Sequence, residues 1–371
     1  MARKLAFDRV LFTVIVLLVL LGLVMVYSAS APMARAQGRA FNPFLVRQLM
    51  AAAVGLGAMF VVMHVDYRQL KRRGVVMALL GSVLVLLVVV LFGPELNSTR
   101  RWLFVAGVSI QPAELAKLAL VPFVAYLLDR AYRPDREERG AATVNRRETL
   151  LPVAVATGAV AGLVVLQPDL GTALLIVATV ATLLFLGGLA WRSILLAGAI
   201  LVPLGAALVL AAPYRRARLF AFLDPDRDPL GSGFQALQSL IAIGSGGVTG
   251  LGPGESVQKL YFLPYPHSDF IFSIVAEELG LLGALALLVL FALLFWRGVR
   301  AGSKAPDPFG RFLGWGFASM LALQALINIS VALALLPTKG IPLPFISYGG
   351  SSLVVSLAAC GVLLNVSQHD G

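Results

Sequence analysis

Long apolar runs alternate with short, mostly basic connectors along nearly the whole chain. A helix needs about 20 mostly apolar residues to cross a bilayer. Ten stretches qualify, at roughly 9–28, 46–65, 74–93, 112–128, 150–166, 170–190, 193–212, 270–296, 312–336 and 345–366. The pattern predicts an all-α, polytopic integral membrane protein with about ten transmembrane helices, forming one membrane domain over 1–371. Two connectors are long: about 129–149, and about 213–269 between the seventh and eighth runs.

Composition agrees with a bilayer as the solvent. Of 371 residues, 59% are hydrophobic and 13% charged, too little polar surface for a water-soluble domain of this length. The net charge of +11 would suit nucleic acid, but the basic residues sit in short loops between apolar runs. That placement reflects topology and an affinity for anionic membrane lipids, and no nucleic-acid partner is expected. With both termini cytoplasmic, the inner segments hold 18 of the 30 Lys and Arg, among them Arg3, Lys4, Arg9, Arg68, Lys71, Arg72, Arg73, Arg192, Arg297, Arg300, Lys304 and Arg311. The outer segments hold 11: Arg35, Arg39, Arg47, Arg100, Arg101, Arg215, Arg216, Arg218, Arg227, Lys259 and Lys339. The outer basic residues oppose the positive-inside bias and so call for another explanation. Ala2-Arg3-Lys4 before an apolar run with no clear small-residue cleavage site reads as an uncleaved first helix. One cysteine, Cys360, and three scattered histidines argue against a disulfide and a zinc cluster.

Ionisable side chains at membrane depth cost roughly 2.5–3.5 kcal/mol on insertion and are functional candidates by default. Glu114 and Lys117 share a helix face, either as a structural ion pair or lining a polar cavity. Asp169 follows Gln167-Pro168 in a tight outer turn, where it either caps the next helix or serves a site. Asp269 ends the run Lys259 to Asp269 just before the eighth helix; Ser268 or Asp269 as a cap is the plain alternative to chemistry. Glu277 and Glu278 lie two turns deeper, where at least one must face protein or water. Between Leu336 and Ser352, Pro337, Pro342 and Pro344 forbid a continuous helix. Such backbone survives at membrane depth only beside protein or a wet cavity, so Lys339 and Gly349-Gly350-Ser351-Ser352 are expected to border a polar cleft. The glycine run Gly244 to Gly254 lacks a Walker lysine; its backbone amides either form anion nests or belong to a flexible loop, the plainer reading. The 213–269 segment is too apolar for disorder and is expected to fold back over the membrane surface.

Several motifs occur in order: Gly22 to Ser30, Arg100-Arg101-Trp102-Leu103, Gln111 to Lys117, Gln167 to Thr172, Ser256 to Leu260, His267 to Phe272, Glu277 to Gly280 and Pro337 to Ser352. In these the chain resembles, nearly end to end, the SEDS family of membrane enzymes that polymerise peptidoglycan glycan strands. Pro337-Thr338-Lys339-Gly340 looks like the division branch (FtsW) rather than the elongation branch (RodA). Tyr265-Pro266, Ala113 and Gln167 depart from common family residues.

The resemblance implies a glycosyltransferase in the bacterial cytoplasmic (inner) membrane that uses lipid II, a disaccharide-pentapeptide on undecaprenyl pyrophosphate. It makes Asp269 the essential catalytic residue. Its motifs place Glu114, Lys117, Lys259, His267, Ser268, Ser351 and Ser352 among the candidate substrate-binding residues. A pyrophosphate leaving group needs cations, and the outer basic residues Arg100, Arg101, Arg215, Arg216, Arg218 and Lys339 are the natural candidates, with Asp169 and Glu277 as further polar residues. Implied partners are a class B penicillin-binding protein for crosslinking and other division or elongation membrane proteins. No organic cofactor is expected. Asp269 acts either as general base, which needs a raised pKa, or as holder of a divalent cation such as Mg or Mn against the pyrophosphate. The rival function is a transporter that flips lipid-linked precursors. It would be marked by paired broken helices in two related halves, where the sequence offers one broken segment, after Leu336.

Overall fold

The computed structural model describes residues 7–36, 38, 41–96, 99–105, 108–132, 146–224 and 233–369. Arg3, Lys4, Arg39, Arg133, Arg136, Arg139 and Arg227, with Asp135, Glu137, Glu138, Asp226 and Asp228, lie outside the described residues.

Twelve α-helices carry the described chain, with one two-stranded hairpin. Helices α1 (Arg9–Ala36), α2 (Pro43–His64) and α3 (Arg73–Val89) precede strands β1 (Leu103–Val105) and β2 (Val108–Ile110). Then come α4 (Pro112–Ala131), α5 (Leu151–Leu166), α6 (Leu170–Leu186) and α7 (Trp191–Leu210). The long 213–269 segment holds α8 (Pro213–Leu223) and α9 (Phe234–Ser245). The last three are α10 (Ile271–Ser303), α11 (Pro308–Ala332) and α12 (Gly350–Ser367). Among the described residues, eight helices are long and apolar enough to cross a membrane; α4 and α6 fall short, α4 by its charges and α6 by its 17 residues.

Burial orders the bundle. α11 and α12 are largely enclosed, whereas α7 buries none of its residues. α11 touches α4, α6 and α10, and α12 lies along α2. Inert apolar side chains face outward, as lipid contact requires: on α7, Leu196, Ile200 and Val202 are all exposed.

The sequence locates the break between α11 and α12 correctly: Leu333 to Gly349 is irregular. Its backbone lies against α1, where a Cβ on Gly22 would sit 2.1 Å from the Phe345 carbonyl oxygen. The glycine run, expected to be flexible, is docked instead. α10 breaks at Gly280, with φ 66° and ψ −167°, a conformation essentially restricted to glycine. The break frees backbone groups, and the run supplies their partners. Leu251 and Gly252 N–H groups donate to the Glu277 and Glu278 carbonyls, at 3.0 Å each. Leu281 and Leu282 N–H groups donate to Gly247 and Val248 carbonyls, at 2.9 and 3.2 Å. Interrupted helix at membrane depth is thereby satisfied by protein. This second interruption escaped the hydrophobic pattern because Gly280 opens a long apolar run, and the Glu277-Glu278 pair just before it calls for polar partners without implying a break in the helix. The 213–269 segment packs on the bundle: α9 lies on α10 and α11.

Candidate active site

Asp269 stands just outside the α10 helix, on a loop held by its own backbone. Three successive carbonyl oxygens are each anchored. The Tyr348 N–H donates to the His267 carbonyl at 2.8 Å, the Ser347 hydroxyl to the Ser268 carbonyl at 2.6 Å, and the Asn328 amide to the Asp269 carbonyl at 2.9 Å. The same Asn328 nitrogen donates to the Ile341 carbonyl at 2.8 Å. Gln48 fixes the donor segment in turn, donating to the Ser347 carbonyl and accepting from the Gly349 N–H. The rings of Phe44, His267 and Tyr348 close the side of the loop, with centroids 4.8–5.5 Å apart. Phe270 is the N-cap residue of α10, and no side-chain hydrogen bond caps the helix. The capping alternative for Ser268 and Asp269 therefore has no support in the geometry.

The Asp269 carboxyl lies over the proline-rich segment, where a Cβ on Gly340 would meet Oδ2 at 3.3 Å. Burial pushes its pKa up to about 6; the nearby charges of Arg101 and Arg218 and the Ser268 hydroxyl pull it down, and Asp169 pushes it up. Arg101, Arg218 and Asp169 thus lie close enough for their charges to act on it. Lys339 joins them: burial holds its ammonium below the usual lysine range, opposed by the Asp169 charge. Arg218 also donates to the Thr338 carbonyl at 3.2 Å, bringing α8 onto the segment that carries Lys339. Arg101 keeps a buried Nε with no hydrogen-bond partner. Asp169 does cap α6, accepting from the Thr172 N–H and hydroxyl, and it also takes the Gln111 amide at 3.1 Å. Beside this cluster a cavity of about 130 Å³ opens between α6 and α11, with Lys339 its one charged lining residue among apolar neighbours such as Leu174, Ile327 and Val331.

Other expected residues lie elsewhere. The Lys117 ammonium meets its helix neighbour Glu114 at 2.8 Å and Gln324 at 2.6 Å, all three buried. Lys259 is drawn away from the site into a buried knot, 2.7 Å from Glu278, 3.0 Å from the Ser28 hydroxyl and 2.5 Å from the Gly254 carbonyl. Glu277 accepts from Ser256, Val257 and Gln258 and fixes the same loop. Arg100 is exposed and leans on Glu95 at 3.7 Å, Arg215 donates to the Leu208 carbonyl, and Arg216 is exposed. Ser351 ties the hairpin to α12, accepting from Gln111 N–H and donating to the Ser109 carbonyl. Ser352 accepts from Gln324 at 3.3 Å. His267 is buried and neutral, its pKa lowered to about 4 by burial.

Sequence reasoning missed Gln48, Gln111, Gln324, Asn328 and Ser347. For the amides the signal was present, because an amide in an apolar span needs partners as a charge does; the sequence reading turned on charges and motif serines instead.

A divalent cation at Asp269 would find no group of three His, Cys, Asp or Glu among the described residues, and Asp169 already spends its oxygens on Thr172 and Gln111. The residues fit only a cation held by the Asp269 carboxylate and completed by substrate phosphate oxygens, the manner in which Mg²⁺ is commonly bound.

The sequence profile of the family described as "Cell cycle protein" (FtsW/RodA/SpoVE) matches residues 8–371. Stage V sporulation protein E of Bacillus subtilis is 42% identical over 99% of both chains. A probable peptidoglycan glycosyltransferase FtsW of Geobacter metallireducens is 43% identical over 98% of this chain and 95% of its own. Among solved structures, a chain from a peptidoglycan synthase complex that coordinates polymerization and crosslinking aligns with TM-score 0.79 at 37% identity, over 98% of both chains. The rod shape determining protein RodA of Thermus thermophilus aligns with TM-score 0.70 at 32% identity, over 99% of this chain and 98% of that one. Ordered motifs, irregular segments around one aspartate and full-length similarity agree: the chain belongs to the FtsW/RodA/SpoVE family of polytopic membrane proteins.

Proposed function

We propose that this chain is a peptidoglycan glycosyltransferase that polymerises lipid II on the outer face of the bacterial cytoplasmic membrane. The observation that carries this reading is one buried carboxyl, raised to about 6, on which the Arg101 and Arg218 charges act and which lies 3.3 Å from where a Cβ on Gly340, the neighbour of Lys339, would sit. The acceptor sugar's 4-hydroxyl attacks the anomeric carbon of the donor strand. Its proton passes to Asp269, the new glycosidic bond forms, and the bond to pyrophosphate breaks. A base works best with a pKa near the operating pH, which burial supplies here. Charge growing on undecaprenyl pyrophosphate meets the three cations. The apolar cavity beside Lys339 suits the start of a lipid chain. A divalent cation bound at Asp269 would add charge neutralisation at the pyrophosphate.

The FtsW relatives at 41–44% identity favour the division branch. The similarity to a complex that joins polymerization to crosslinking supports a class B penicillin-binding protein as partner, beside other division or elongation proteins. We place both termini in the cytoplasm and count α4 and α6 as spans, giving ten. A cysteine at exposed Glu255 should then react with an impermeant maleimide in intact spheroplasts, and one at Arg73 only after permeabilisation; the reverse pattern contradicts the orientation. The transporter reading gains a second broken helix, but both breaks lie in the second half of the chain and the one at Gly280 is filled by backbone.

The test is purified protein with labelled lipid II, with and without a partner. Glycan polymer supports the reading; movement of lipid II across vesicles without polymer overturns it. Arg101→Ala should lower kcat on the order of 10²-fold, as loss of a transition-state donor does. Folding should hold, because Arg101 Nε has no protein partner to lose. Matching losses of expression and activity would mark Arg101 as structural.

A further inference from the structure

A buried carboxamide in a membrane helix needs a reason. Asn328 is 1% exposed on α11, and its amide nitrogen spends itself on no helix neighbour. It donates at 2.9 Å to the Asp269 carbonyl and at 2.8 Å to the Ile341 carbonyl, while Oδ1 has no partner. Both acceptors are non-helical backbone, from segments 72 positions apart by number (269 and 341), and each segment carries a group of the site. One turn earlier on the same face, Gln324 repeats the arrangement, accepting from Lys117 and donating to the Pro342 carbonyl at 2.9 Å and to Ser352. The two amides, four residues apart, form a ladder under the irregular segment.

We infer that Asn328 is a positioning residue: its one amide group ties the loop bearing Asp269 to the segment bearing Lys339, setting the spacing between base and cation. The inference rests on the proposed role of Asp269. Glu114 and Lys117 belong to the same device at one remove, because their ion pair is tied to the ladder through Gln324. A buried donor that is removed also leaves two carbonyls unpaired. The loop keeps its hydrogen bonds from Ser347 and Tyr348, so the fold survives while the last carbonyl, that of Asp269 itself, is released.

The test is steady-state polymerisation of lipid II by Asn328→Leu, which keeps the volume and loses the donors. A displacement near 1 Å at a catalytic group costs about 10²-fold, so kcat should fall about 30- to 100-fold with KM for lipid II within threefold. The acid limb of the pH profile should move down by at least half a unit from about 6, as Asp269 regains water. Asn328→Gln, which keeps the donors on a longer stem, should recover most of the loss. Should Asn328→Leu not fold, Asn328→Ala carries the same readouts. A folded variant with kcat within threefold of wild type overturns the inference. So does a loss proportional to folded protein with an unmoved pH profile, and so does failure of both variants to fold. Asp269→Asn separates the two levels: if that variant is active, the reading of Asp269 itself fails. If it is inactive while Asn328→Leu is normal, the positioning role alone falls.

Discussion

Asp269→Asn should give a folded protein whose lipid II polymerisation is slower by roughly 10²–10⁴-fold, the usual contribution of a general base. The substitution keeps shape, and what holds the loop is the Asp269 backbone carbonyl under Asn328, which the change does not touch. No helix cap is lost, since α10 has no side-chain cap. Only the proton-accepting carboxylate disappears. Asp269→Glu should retain part of the rate with an altered pH profile, because the base survives on a longer stem. Partial recovery of substituted enzymes by excess Mg²⁺ or Mn²⁺ would instead mark Asp269 as a cation holder. Chromatographic behaviour and thermal unfolding of the variants check that the fold is intact.

The second large effect falls on stability. Gly280→Ala should destabilise the protein by about 2–5 kcal/mol, from the strain of a glycine-only conformation and from overpacking. A Cβ at Gly280 would lie 2.3 Å from the Gly250 nitrogen and 2.5 Å from the Val248 carbonyl oxygen, both backbone atoms that cannot step aside. Four backbone hydrogen bonds between the glycine run and α10 depend on that approach. The knot of Lys259, Glu278 and Ser28 is tied to the end of the same run through Gly254 and should loosen with it. Thermal unfolding in detergent measures the effect; Ala at exposed Gly57, where a Cβ meets nothing, is the control. Equal unfolding temperatures for the two variants would refute the docking account.

Much of this fold is legible from hydrophobicity alone, because a bilayer leaves a backbone few choices. Each of the ten apolar runs became a helix, with starts mostly within three residues: the first run opens at Arg9 and the sixth at Leu170. Length was less legible. α1 runs on to Ala36 and α10 to Ser303, since polar residues continue a helix beyond the apolar stretch. The three prolines announced the break before α12, whereas the mark at Gly280 was the Glu277-Glu278 pair, which by itself does not imply a break in the helix. In the site, charges at or near membrane depth led to Asp269 and Asp169, and basic residues that oppose the positive-inside bias led to Arg101, Arg218 and Lys339; Asp269 feels Arg101, Arg218 and Asp169, and Lys339 feels Asp169. The same criteria drew in Lys259 and Glu277, whose charges stabilise a loop fold, and Lys117, whose partner is its helix neighbour Glu114. Long-range pairing decides between such roles, and spacing along the chain does not contain it. The amides Gln48, Gln324 and Asn328 were readable as polar residues in apolar helices, but their backbone acceptors are known only once the helices pack.

The pH dependence of kcat/KM for lipid II polymerisation, measured at fixed saturating divalent cation, tests the central claim most directly. It reports the free enzyme's essential groups. With Asp269 raised to about 6 by burial, the base is mostly ionised at pH 7.5, and the rate should fall about tenfold per unit once pH drops below 6. The residual activity of Asp269→Asn should lack this limb. A wild-type profile that stays level down to pH 5, or the same limb in Asp269→Asn, would contradict a base at Asp269.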